Sequence, residues 1–169
     1  MIDSGRMSHS VTITRTTTTT STSAILLNTG YFKTWPGIFK LLQMALGAVV
    51  VGLVSYYYSE HHYRFAVSFF LFIAVAFLIG TFLILLSCLI SIATASVLPK
   101  TVYEGTYHGF AFLLYMIGSL LFILEVNRYS KSRYSNDYES YLTAAILGFV
   151  VTALYLFSSI HALKIYRGL

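Results

Sequence analysis

"FAVSFFLFIAVAFLIGTFLILLSCLISIATASVL", from Phe65 to Leu98, runs for 34 residues without a charged side chain. A strand of a membrane barrel would alternate apolar and polar residues over about ten positions, and this stretch does not alternate. A helix crossing the hydrocarbon core of a bilayer needs about 20 predominantly apolar residues, so the stretch reads as a membrane-spanning helix with length to spare. As a straight helix it would extend about 50 Å, well beyond the ~30 Å core, and it is expected to tilt or to project past the leaflet where it ends. Three more segments carry the same signature. The spans are placed at about 38–58, 65–98, 105–126 and 141–163, the first tolerating Lys40 and Gln43. With 57% hydrophobic and only 10% charged residues in 169, the chain is one integral membrane domain. The fold class expected is all-α, a four-helix membrane bundle.

The first 29 residues differ. Their "TRTTTTTSTS" tract is low in complexity and polar, and cannot bury enough apolar surface to offset chain entropy, so 1–29 reads as a disordered tail. Arg15 upstream of Thr16, Thr17 and Thr18 has the form of a phosphorylation site, but an inert soluble tail is the favoured reading. The tail lacks the apolar core of a cleavable signal, and the first span is expected to act as its own insertion signal. An even number of spans puts both termini on one side. Cytosolic termini place Arg6, Arg15, Lys33, Lys40, Lys100, Lys164 and Arg167 inside, against Arg64, Arg128, Lys131 and Arg133 outside. That charge bias favours an M-shaped topology with both ends in the cytosol.

Within "TWPGIFKLLQMALGAVVVGLV", Thr34 to Val54, the lysine lies about one turn inside the helix. With Tyr31, Phe32 and Trp35 anchoring at the interface, Lys40 is expected to extend its ammonium back to the headgroups. Gln43 lies deeper and calls for a hydrogen bond across helices. The stretch "TWPGIFKLLQMALGAVV" resembles the opening of a MARVEL domain, and "AAILGFVVTALYLFSSIHALKIYR", from Ala144 to Arg167, is similar to that family's last helix. The resemblance covers 30–167 and is nearest the small CKLF-like and MAL-like members. It implies a four-span protein with cytoplasmic termini, associated with vesicle trafficking, cell junctions, membrane apposition or cholesterol-rich membrane. The extracellular-loop cysteines of the occludin and physin branches are missing.

Cys88 is the only cysteine, so no internal disulfide forms, and it reads as a small packing residue rather than a lipidation site. Small residues recur every four positions at Ala48 and Gly52, at Ser87, Ser91 and Ala95, and at Ala144 and Gly148. Such faces let helix backbones approach closely, within one bundle or between copies of the chain. Chemistry is sparsely represented. Asp3, Glu60, Glu104, Asp137 and Glu139 read as tail or loop, and Glu125 as interfacial beside Arg128. The adjacent His61 and His62 lack a third metal-ligand pattern, and His108 and His161 read as isolated polar residues near helix ends. Nothing calls for a cofactor, a catalytic group or nucleic acid. Tyr56, Tyr57, Tyr58 and Tyr63 at one outer edge, and Tyr129, Tyr134, Tyr138 and Tyr141 at another, form an anchoring belt or a surface for a facing membrane.

The favoured function is a non-enzymatic membrane organiser at the plasma membrane or on trafficking vesicles, with lipid, sterol-rich membrane, other membrane proteins and further copies of itself as partners. The alternative is a small transporter or channel subunit. The terminal "YRGL" has the form of a tyrosine-based sorting signal, with Tyr166 and Leu169 as its two anchoring side chains, against an interfacial anchor as the simpler role for Tyr166.

Overall fold

The computed structural model describes residues 28–58, 65–129 and 135–168. The Thr/Ser tract, the segment containing Glu60, His61, His62 and Arg64, the basic residues Lys131 and Arg133, and Leu169 lie outside them. Among the described residues four helices are long and apolar enough to cross a membrane: α1 (Trp35–Tyr58), α2 (Phe65–Ile90), α4 (Val102–Tyr129) and α5 (Ser135–Tyr166), with a short α3 (Ile92–Val97) between the second and third. They form an all-α membrane bundle in which α1 lies beside α2, α2 beside α4, α4 beside α5, and α5 returns to α1. The pairs α1/α4 and α2/α5 are therefore diagonal. The starts of α1 and α4 and the ends of α2 and α5 share one end of the bundle, here called the terminal end.

The first helix begins where its sequence dictates. Thr34 is extended, and its hydroxyl accepts the Gly37 N–H at 3.3 Å while donating to the Tyr31 carbonyl at 2.7 Å. That caps an N–H the helix cannot satisfy itself. Pro36 in the first turn forfeits no bond. Gly37 is required, because a Cβ there would lie 2.1 Å from the Tyr31 carbonyl oxygen. The Thr-Trp-Pro-Gly run thus folds the 3-10 turn Thr29–Lys33 against the helix it precedes.

The second span departs from the expectation of one helix over 65–98. The chain breaks at Ser91, which is extended at φ −129° and ψ 115° and caps α3 by accepting the Thr94 N–H at 3.2 Å. In an unbroken helix the Leu89 carbonyl would bond the N–H four residues on. Here it accepts the Asn28 N–H at 2.7 Å instead. The segment leading into the bundle therefore holds the end of α2, and the excess length is resolved by a break rather than by projection. Ser87, Ser91 and Ala95 in consequence share no helix face: Ser87 is exposed and bonds its own Leu83 carbonyl at 2.7 Å, Ser91 is the break, and Ala95 packs near Cys88 from α3.

The other small positions fall in two classes. Ala144 is buried, and a Cβ on Gly148 would meet the Phe70 ring and the Ser119 hydroxyl at 2.8 Å, so α5 approaches α2 and α4 closely there. Ala48 and Gly52 point out of the bundle, and Gly52 has nothing within 4 Å of where its Cβ would be. The half of the core away from the terminal end is largely apolar and aromatic, with Ser119 buried in it beside Gly148. Phe70 and Phe122 stack at 4.7 Å, Tyr115 meets Phe70 edge-on at 6.2 Å, and Val50, Val54, Ala145 and Val126 fill the space around them.

Candidate functional site: a polar cluster at the terminal end

Most of the buried polar side chains gather in the terminal half of the bundle, in two layers; Ser119 and Thr152 lie beyond them, beside Gly148. The outer layer centres on an ion pair. Lys40 of α1 is 1% exposed and hydrogen-bonds Glu104 Oε1 of α4, so the pair crosses a diagonal of the bundle. His108, one turn further along α4 and fully buried, brings Nε2 to 3.7 Å from the same carboxylate oxygen. The Lys40 ammonium also sits 5.8 Å from the centre of the Tyr31 ring. Burial pushes the Tyr31 phenol well above its ordinary range, so it stays neutral beside the ammonium. Gln43, one turn below Lys40, donates from Nε2 to the Leu154 carbonyl at 3.1 Å and to Ser158 Oγ at 2.8 Å, tying α1 to its neighbour α5. Ser159 donates to the Gly105 carbonyl at 3.2 Å, tying α5 to α4.

The inner layer is built of hydroxyls. Thr81 of α2 is fully buried and lies 2.8 Å from the Tyr155 hydroxyl of α5 and 3.0 Å from the Tyr107 hydroxyl of α4. Tyr107 donates in turn to the Phe77 carbonyl at 3.2 Å. This layer spans the other diagonal, α2 to α5, and its rings stack into the aromatic core through Phe77 and Tyr115.

Three expectations are overturned. Lys40 does not extend out of the bundle, because Glu104 on the facing helix gives the ammonium a hydrogen-bonded partner inside. Glu104 is no loop residue: α4 starts at Val102, so Glu104 falls in its first turn, where a negative side chain also complements the helix N-terminus. His108 belongs to the same cluster rather than standing alone. The signal available was the i,i+4 spacing of Glu104 and His108, which puts both on one face; the hydroxyl layer of Thr81, Tyr107 and Tyr155 had no comparable signal.

Some polar atoms here lack partners. Glu104 Oε2, Gln43 Oε1 and His108 Nδ1 are buried and make no hydrogen bond with the described residues. At the terminal end a narrow recess is lined by Pro36, Phe39, Pro99, His161 and Ile165 together with Lys40, Glu104 and Ser158. Among the described residues no group of three or more His, Cys, Asp or Glu side chains is placed to hold a metal. Chemically the cluster can bind helices together and exchange protons.

Other sequence-derived sites lie apart from it. Tyr166 is half-exposed and ends α5, followed by a turn in which Gly168 takes φ 73°. Its expected partner Leu169 is outside the described residues. Of the tyrosine belt, Tyr56 is exposed while Tyr138 and Tyr141 are half-buried; the rings of Tyr57, Tyr58, Tyr63, Tyr129 and Tyr134 lie outside the described set. Around the terminal end, Trp35, Tyr103 and Tyr166 are exposed together with Lys33, Lys100, Lys164 and Arg167.

Neither the curated proteins nor the solved structures offer a match to this chain. A family model does: the membrane-associating domain called MARVEL matches residues 31–161, from the buried tyrosine of the 3-10 turn to the histidine beside the recess. With four apolar helices spanning that match, the chain is a multi-pass membrane protein and belongs to the MARVEL family.

Proposed function

We propose that this protein is a non-enzymatic membrane organiser acting in vesicle trafficking, membrane apposition or cell-contact specialisation at the plasma membrane or on trafficking vesicles. It works by helix packing and lipid matching, with membrane lipid, other membrane proteins and further copies of itself as partners. The observation that carries this reading is the closed interior. Most buried polar side chains lie in one half of the bundle, and the Phe70–Phe122 stack with Val50, Val54 and Val126 packs the other, where Ser119 beside Gly148 makes no continuous polar path. A transport path needs polar groups or water along its whole length. The family is a membrane-associating one, which supports the same reading.

Purified protein in liposomes tests it: ion and small-solute flux should equal that of empty liposomes. Selective, saturable flux that depends on the protein sinks the scaffold reading in favour of a transporter. The sorting role of Tyr166 and Leu169 is part of the proposal, and it requires the end of α5 to open, since an adaptor takes its peptide extended. Tyr166→Ala should then raise surface abundance and slow uptake; equal uptake of variant and wild type leaves Tyr166 as an interfacial anchor.

A further inference from the structure

The ion pair, the imidazole and the recess together make an arrangement that scaffolding does not use. We propose that Lys40, Glu104 and His108 form a proton-binding site, loaded through the recess from the terminal end, and that uptake of one proton releases α1 from α4.

With a neutral imidazole the cluster holds one ammonium and one carboxylate and carries no net charge. An added proton leaves a net positive charge in the bundle interior, which is costly unless a charge departs. Lys40 is the group that can depart. It lines the recess, lies near the start of α1, and carries a flexible four-carbon stem suited to reaching the headgroups. His108 is the group that can replace it. It sits i+4 from Glu104 on the same helix, its Nε2 is already 3.7 Å from the carboxylate, and its Nδ1 has no partner among the described residues. One proton enters from water by way of Glu104, which lines the recess, and passes to the imidazole 3.7 Å behind it; the imidazolium pairs with Glu104, and the ammonium leaves with its charge intact. The interior is neutral before and after. What changes is which helix the carboxylate is tied to: α1 in the first state, α4 itself in the second.

The surroundings permit the exchange. Facing the cluster are Tyr31 from the 3-10 turn, Cys88 from α2, Gln43 from α1, Tyr107 beside His108 on α4, and Tyr155 and His161 from α5. None of them is a carboxylate, so Glu104 is the one anion among the described residues there, and two cations compete for it. An imidazole is the side chain whose ordinary titration falls between pH 5 and 8, the range separating cytosol from acidified compartments.

Hydrogen exchange on the full chain in nanodiscs, corrected for the intrinsic pH dependence of exchange, reads the tie directly. Between pH 8 and pH 5, protection over 38–46 should fall by about tenfold or more in wild type. His108→Gln should stay latched throughout, and Glu104→Gln should be released at every pH. Selective labelling of histidine rings gives a second measure on the unaltered protein, in which His108 should titrate with the same midpoint as the loss of protection. The proposal fails if wild-type exchange over 38–46 does not change with pH, if His108→Gln keeps the wild-type response, or if His108 does not titrate. It fails equally if His161→Gln abolishes the response while His108→Gln leaves it.

Discussion

A lysine that is 1% exposed in a membrane-spanning helix invites a question of cost. Removing one partner of a buried ion pair leaves an uncompensated charge and costs about 3–5 kcal/mol, whereas replacing both by apolar side chains of similar volume is often neutral or stabilising. Lys40→Met should therefore destabilise the bundle by about 3 kcal/mol, and Lys40→Met combined with Glu104→Leu should recover most of that loss. Reversible unfolding in mixed micelles measures both. Equal destabilisation in the single and double variants would show that packing, not charge, governs the site. The pair was not legible in the sequence because its members are 64 residues apart and cross a diagonal. The uncharged run of the third span starts at Gly105, which left Glu104 on the loop side of a boundary that composition alone had drawn.

Helices show where a pattern informs and where it does not. Small residues four apart occur on α1 and on α5, yet Gly148 is pressed against Phe70 and Ser119 while Gly52 faces outward. Gly148→Leu should then cost at least the ~1–3 kcal/mol typical of overpacking. Gly52→Leu should leave the stability of the single chain unchanged. If copies associate through α1, Gly52→Leu should weaken that association alone, which quantitative dimerisation in micelles separates from folding. The four spans were readable because lipid offers the backbone no hydrogen bonds and so imposes long apolar helices. The break at Ser91 was not, since "SCLISIATASVL" is uncharged and holds no proline or glycine to mark it. Its position depends on a backbone bond from Asn28, a residue 61 positions before Leu89, the carbonyl it occupies.

At the scale of the whole molecule, the two halves of the bundle have different tasks. The aromatic half packs, and the polar half ties α1, α4 and α5 to one another and α2 to α5. Both described chain ends lie at the polar end, ringed by Lys33, Lys100, Lys164 and Arg167. Positive side chains concentrate on cytoplasmic flanks, so this end is proposed to face the cytosol. Epitope tags at either terminus should then bind antibody only after permeabilisation. Staining of intact cells at either end would reverse the orientation and move the proposed proton site to the opposite compartment.

The diagonal pairing of Lys40 with Glu104 also has a consequence for biogenesis. The ammonium is synthesised 64 residues ahead of its carboxylate. At a synthesis rate of roughly 5–20 residues per second, the first span waits on the order of 3–13 s before its partner leaves the ribosome. During that interval the ammonium lacks its carboxylate and has water and headgroups to turn to instead. A chain that ends before α4 therefore carries in its first span a charge whose partner has yet to be made.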